Sequence, residues 1–141
     1  MNTIFCFLME RALTILTCEL QHELTESGVN LSHSQLVVIQ ALCVEEGASQ
    51  SRIAAYLNKD RAAIKRTVDS LVCKGFVKRE KKDKKEFALF LTDEGRKILP
   101  ILRRAVDITR EKYLNSIPQD RIDSMIDIFN HVYNKSDSVR S

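Results

Sequence analysis

The chain has 141 residues, enough for one compact domain with its own core. With 44% hydrophobic, 29% charged, 4 glycines and 2 prolines, it is globular and helix-rich rather than disordered. The absence of Trp and the 6% aromatic content argue against a carbohydrate-stacking surface, and a net charge of +3 conceals a marked asymmetry. Residues 49 to 86 hold twelve Lys/Arg against five Asp/Glu, or +7, while the remainder holds ten against fourteen, or −4. Such separation predicts a polyanion-binding face on a mildly acidic body, the alternative being a merely solvated lysine surface.

The apolar run Ile4 to Met9 is too short to span a membrane, and no basic residue precedes it as in a secretion signal. A cytoplasmic protein is therefore expected. Thr3 to Glu26 reads as a helix, with Phe5, Leu8, Ala12, Leu16, Leu20 and Leu24 at three- and four-residue steps. After Gly28-Val29-Asn30, Ser32 and Gln35 fit a capping box that opens a second helix, "LVVIQALCVEE", closing near Gly47.

Ser49 can cap a short third helix with Ile53, Ala54 and Leu57 inward. A tight turn at Asn58-Lys59 follows. Asp60 can then cap a fourth helix running to Lys74, with Gly75 just past its end. Helix, short turn and helix make a helix-turn-helix. On the fourth helix Ile64, Val68 and Leu71 share one face. Ala62, Arg66, Asp69 and Cys73 point nearly opposite, and Arg61 and Lys65 follow one edge. Such a helix can enter the DNA major groove, with its cations meeting phosphates or guanine edges. An ordinary charged surface helix would show the same residues.

Phe76 to Glu80 and Glu86 to Leu91 read as two strands, joined by a tip containing Lys81, Lys82, Asp83, Lys84 and Lys85. Like charges crowded at a hairpin tip oppose folding but suit a phosphate row or a narrow anionic groove. Asp83 either holds its neighbours in place or dilutes their charge. Thr92 caps a fifth helix to about Leu114, with Ile98, Ile101, Leu102, Ala105 and Ile108 apolar; Pro100 should kink it or mark a later start. Beyond Pro118 a sixth helix carries Ile122, Met125, Ile126, Phe129, Val132 and Tyr133 on one stripe, and the tail from residue 135 reads as disordered. The outer helices could cover one another within a chain; interlocking with a second copy is the more economical arrangement.

From Leu57 to Gly95 the chain resembles the winged-helix core of the multiple-antibiotic-resistance regulator (MarR) family. The resemblance rests on the Asp60 start, "VDSL" at Val68 to Leu71, "KGFVKR" at Lys74 to Arg79, "DKK" at Asp83 to Lys85 and "LTDEG" at Leu91 to Gly95. "LSHSQLVVIQAL" is similar to the family's second helix, and the flanking helices extend the match over nearly the whole chain. It implies a mainly α fold with a small β-hairpin wing: one domain over residues 1–141. The winged helix-turn-helix would cover about 32–92, dimerisation helices about 3–26 and 93–134, and a disordered tail 135–141. It further implies a homodimer reading a pseudo-palindromic double-stranded DNA operator, usually as a repressor, released by a small aromatic effector or by thiol oxidation. Lys85 stands where the family commonly has arginine, giving charge without the planar fork. Ala62 and Ala63 stand where Ser or Thr is frequent, and Pro100 is unusual.

The expected DNA-binding residues are Arg61, Ala62, Lys65 and Arg66 in the major groove and Lys81, Lys82, Lys84 and Lys85 on phosphate or the minor groove. Arg52, Lys78 and Arg79 are lesser phosphate candidates. Cys73 is the candidate thiol sensor, Cys6 and Cys18 lie on the first helix, and Cys43 is expected in the core. The cysteine and histidine spacings fit no metal motif, so no metal or cofactor is expected. No phosphate-cradling glycine loop, G-x-S-x-G or H-E-x-x-H occurs, which leaves a cysteine peroxidase as the enzyme alternative. The other alternative is a winged helix used for protein–protein contact, its lysines serving solubility.

Overall fold

The computed structural model describes residues 3–140, which form six helices and one two-stranded antiparallel sheet. The order is α1 (Thr3–Glu26), α2 (His33–Val44), α3 (Gln50–Tyr56), α4 (Arg61–Cys73), β1 (Val77–Lys81), β2 (Phe87–Leu91), α5 (Asp93–Leu114) and α6 (Gln119–Arg140). The expected mainly α fold with a hairpin wing is what forms. Among the described residues no helix is long and apolar enough to cross a membrane.

Four helices begin where a side-chain oxygen accepts an otherwise orphaned backbone N–H. Ser32 and Gln35 form the complete capping box of α2; Ser49 accepts from Arg52, Asp60 from Ala63 and Thr92 from Gly95. The turn between α3 and α4 closes through Asn58, whose φ of 53° lies in the left-handed region that Asn tolerates. Gly75, at φ 80°, reverses the chain after α4 and delivers it into β1.

The core lies between α2, α3, α4, the sheet and the first half of α5. Leu36, Ile39, Leu42, Ile53, Val68, Leu71 and Leu89 are essentially sealed from water. Each such side chain contributes about 1.5–3 kcal/mol by burial. Leu24 and Leu20 bring the end of α1 to this core. Two backbone bonds at 3.0 Å, Gly47 N–H to Leu89 and Leu89 N–H to Ala48, fasten β2 to the segment before α3. The wing is thereby held to the helix-turn-helix.

Gly95 is buried where the first turn of α5 crosses the start of β1. Thr92 donates to the Gly75 carbonyl at 2.6 Å, and a Cβ on Gly95 would overlap the Phe76 carbonyl oxygen. Backbone rather than a flexible side chain blocks it. Gly95→Ala should therefore lower stability by about 2–3 kcal/mol, the cost of overpacking, measured by urea unfolding.

Four details depart from expectation. The strands run Val77–Lys81 and Phe87–Leu91 rather than 76–80 and 86–91, and α4 ends at Cys73 rather than Lys74. Helix α5 runs unbroken from Asp93 through Pro100, so a late start is discarded. Pro100 lies on the exposed side, where water can serve the carbonyl its missing N–H leaves free. Finally, α6 continues to Arg140, so residues 135–140 are helical rather than a disordered tail. No Gly or Pro follows Pro118 to stop the helix; Ser141 lies outside the described residues.

Candidate nucleic-acid interface

Helix α4 is fixed from both ends. Asp60 accepts the Ala63 N–H at 3.0 Å; Ile64, Val68 and Leu71 sink into the core. At the far end Gln35 donates to the Ser70 hydroxyl at 2.7 Å, and Lys74 donates to the Asn30 carbonyl at 2.9 Å. Arg61, Ala62, Lys65 and Arg66 are left exposed on a helix that cannot roll.

The hairpin pairs Val77 with Leu91, Arg79 with Leu89 and Lys81 with Phe87. Its tip is shaped by Asp83, whose Oδ1 accepts the N–H groups of Lys85 at 2.8 Å and Glu86 at 3.0 Å. Asp83 thus holds the tip rather than simply diluting its charge. Lys81, Lys82, Lys84 and Lys85 are all exposed. Among the described residues their side chains, like those of Arg61 and Arg66, carry no ion pair; Arg96, Lys97 and Lys112 of the body each hold a carboxylate.

An open groove separates α4 from the wing, lined by Gln50, Ser51, Lys65, Asp69, Arg79 and Lys85 among others. At its centre Lys65 Nζ lies 2.7 Å from Asp69 Oδ2, and Arg79 bonds Asp69 Oδ1 while donating to Gln50 Oε1 at 2.9 Å. Hydrogen bonds from Lys65 and then Arg79 hold the Asp69 carboxyl below its usual pKa.

The remaining candidates are placed differently. Lys78 alternates with Arg79 along β1 and lies away from the groove, 2.8 Å from Glu80 and over the Phe90 ring. Arg52 forks onto Glu45, with Nε and Nη2 donating at 3.0 and 2.9 Å, and neighbours Tyr56. That bond to Glu45 raises the guanidinium pKa further. Arg52 does not line the groove; Gln50 and Ser51 of the same helix do, and neither was expected. Lys59, exposed just before the Asp60 cap, was also missed, although a lysine next to a recognition-helix cap is a readable signal.

Cys73 is exposed at the end of α4, and Cys6 and Cys18 are exposed on α1. Cys43 is exposed as well, which corrects its expected place in the core. On the helical wheel Cys43 falls between Ile39 and Leu36, which are buried, but it stands in the last turn of α2, where its side chain stays exposed. Its thiol bonds the Ile39 carbonyl at 3.3 Å, and partial burial raises its pKa. Among the described residues no group of three or more His, Cys, Asp or Glu could hold a metal ion.

Comparison with known proteins bears on this geometry. Residues 31–87 match the model of the MarR family. The uncharacterized HTH-type transcriptional regulator YybA of Bacillus subtilis strain 168 is 24% identical over 106 residues, covering 74% of this chain and 71% of YybA. A MarR family transcriptional regulator from Rhodococcus sp. RHA1 superposes with a TM-score of 0.81 at 25% identity, covering 92% of this chain and 91% of that one. CouR shares the fold at 24% identity. Bound to p-coumaroyl-CoA, from Rhodococcus jostii RHA1, it gives a TM-score of 0.77 and covers 92% of this chain and 91% of that one. As a transcriptional repressor bound to a 23-mer DNA duplex, it gives 0.75 and covers 89% of each chain.

Proposed function

The chain carries a MarR-family domain at residues 31–87, and from that premise we propose that it is a homodimeric, sequence-specific regulator of transcription that acts as a repressor on a pseudo-palindromic duplex. Members of the family are transcriptional regulators rather than enzymes. The reading is supported by the exposed cations of α4 and the wing tip: among the described residues Arg61, Arg66 and the four tip lysines carry no ion pair, and Lys65 and Lys85 line the groove between the two elements. Arg61, Lys65 and Arg66 enter the major groove, with Ala62 allowing close approach. Lys81, Lys82, Lys84 and Lys85 meet phosphate or the minor groove. In the free protein Arg79 joins the wing to α3 and α4 through Gln50 and Asp69; Lys78 and Arg52 are peripheral. CouR, solved with DNA and with p-coumaroyl-CoA, supports a duplex partner and a small-molecule effector. Oxidation of exposed Cys73 is the alternative release signal.

A gel shift on the DNA upstream of the protein's own gene, at two salt concentrations, tests the reading. Salt-sensitive, sequence-selective retardation is expected; no retardation at either salt would favour the protein–protein role. Within the site, Lys65→Ala should cost about 1–2 kcal/mol more on the operator than on random DNA. Equal loss on both, measured by fluorescence anisotropy, would remove Lys65 from the specificity set.

A further inference from the structure

We propose that Asp69 is a specificity-determining residue that stands in for a DNA phosphate, holding Lys65 and Arg79 until a correctly seated duplex displaces it. The proposal rests on the DNA-binding reading above. Both carboxylate oxygens are engaged, one by the Lys65 ammonium and the other by the Arg79 guanidinium. The cations come from the two elements that flank the groove, α4 and β1, and Arg79 reaches α3 as well through Gln50.

Stability alone accounts poorly for this carboxylate. Lys65 is largely exposed, and an exposed ion pair adds little to stability; the less exposed Arg79 is also held by Gln50. A negative charge amid a cationic face, in contrast, has a direct cost for DNA binding, because it repels phosphate and pre-neutralises two cations. That cost is greatest for a duplex that offers nothing in exchange. On random DNA, Lys65 and Arg79 remain on Asp69, and fewer counterions are released. On the right sequence, Lys65 can move to a guanine edge and Asp69 can accept from a cytosine amino group. Affinity is sacrificed for a larger difference between right and wrong partners. The lowered pKa keeps Asp69 ionised throughout the neutral range. Glu86 also lines the groove, so one carboxylate remains there when Asp69 is neutralised.

The test is Asp69→Asn, compared with wild type by anisotropy on two probes: a duplex enriched from a randomised pool by the wild-type protein, and a random duplex. Random-duplex affinity should rise about tenfold and its salt slope steepen by about one to two, as two cations are freed. Affinity for the enriched duplex should rise about threefold or less, so selectivity falls. Asp69→Glu should keep the wild-type slope. If thermal unfolding shows Asn to be disruptive, Asp69→Ser carries the same expectations. Unchanged slopes would overturn the proposal, as would weakened binding to the enriched duplex alone, which marks a simple brace. Wild-type protein that binds neither probe would overturn the DNA-binding reading itself.

Discussion

Phe129→Asp converts the protein to a folded monomer that binds operator about a hundredfold or more weakly, the expectation for a carboxylate placed in a buried apolar seam. The residues of this proposed seam stand exposed in a single chain. Phe5 and Leu8 of α1 are 49% and 52% exposed, and Phe129 and Val132 of α6 are 48% and 61% exposed. Ile4, Phe7, Leu13, Ile15, Met125 and Ile128 extend the same surfaces. Folded monomers seldom leave apolar area of this extent in water. Helices α1 and α5 pack on each other within the chain, joined by Lys112 and Tyr113 on Glu19, but the first half of α1 and the apolar stripe of α6 stay uncovered. In the proposed homodimer a second copy would supply the cover, and in a two-fold seam every substitution counts twice. Leu8→Asp should act in the same direction. Because Phe129 is half exposed within the protomer, the variant should keep its helical circular dichroism, and sedimentation should show one chain where wild type shows two. A dimer that persists in both variants would place the interface elsewhere.

Replacing Lys81, Lys82, Lys84 and Lys85 together with alanine flattens the plot of log K against log salt by about three to four, close to 0.9 for each lost phosphate contact. Affinity should fall about equally on operator and random duplexes, since phosphate contacts position the protein without reading sequence. Folding should be unaffected. The four ammonium groups repel one another, and the tip is shaped by Asp83 accepting the Lys85 and Glu86 N–H groups, a bond set that alanine preserves. Anisotropy across a salt series decides the matter. Loss confined to the operator would show that the tip reads bases, and an unchanged slope would show that it never meets the backbone.

Local chemistry was the most legible part of this chain. Ser32, Ser49, Asp60 and Thr92 each announced a helix start, because a cap is written within four residues. The alternation of Phe87, Leu89 and Leu91 marked β2, though Phe87 overhangs the core and stays half exposed. Relations between elements were less legible. Lys78 and Arg79 are neighbours in sequence, yet the strand's period of two sends one to Phe90 and the other to Asp69. That split follows from periodicity; its outcome, Arg79 meeting a carboxylate and Gln50 across the groove, depends on tertiary packing. Arg52 looked free because Glu45, its partner, sits seven residues earlier on another helix. Cys43 was expected in the core, and its wheel position between Ile39 and Leu36 agrees with that; its exposure comes from its place in the last turn of α2, which periodicity does not reveal. The end of α6 was lost because a polar, breaker-free tail resembles disorder in composition alone.

In the proposed dimer two winged heads, joined through α1, α5 and α6, would grip one duplex together. Sedimentation of wild-type protein with the duplex it selects from a randomised pool tests it most directly. Two chains per duplex are expected at saturation and a dimer without DNA; one chain per duplex, or a monomer that binds as tightly, would rule the paired grip out.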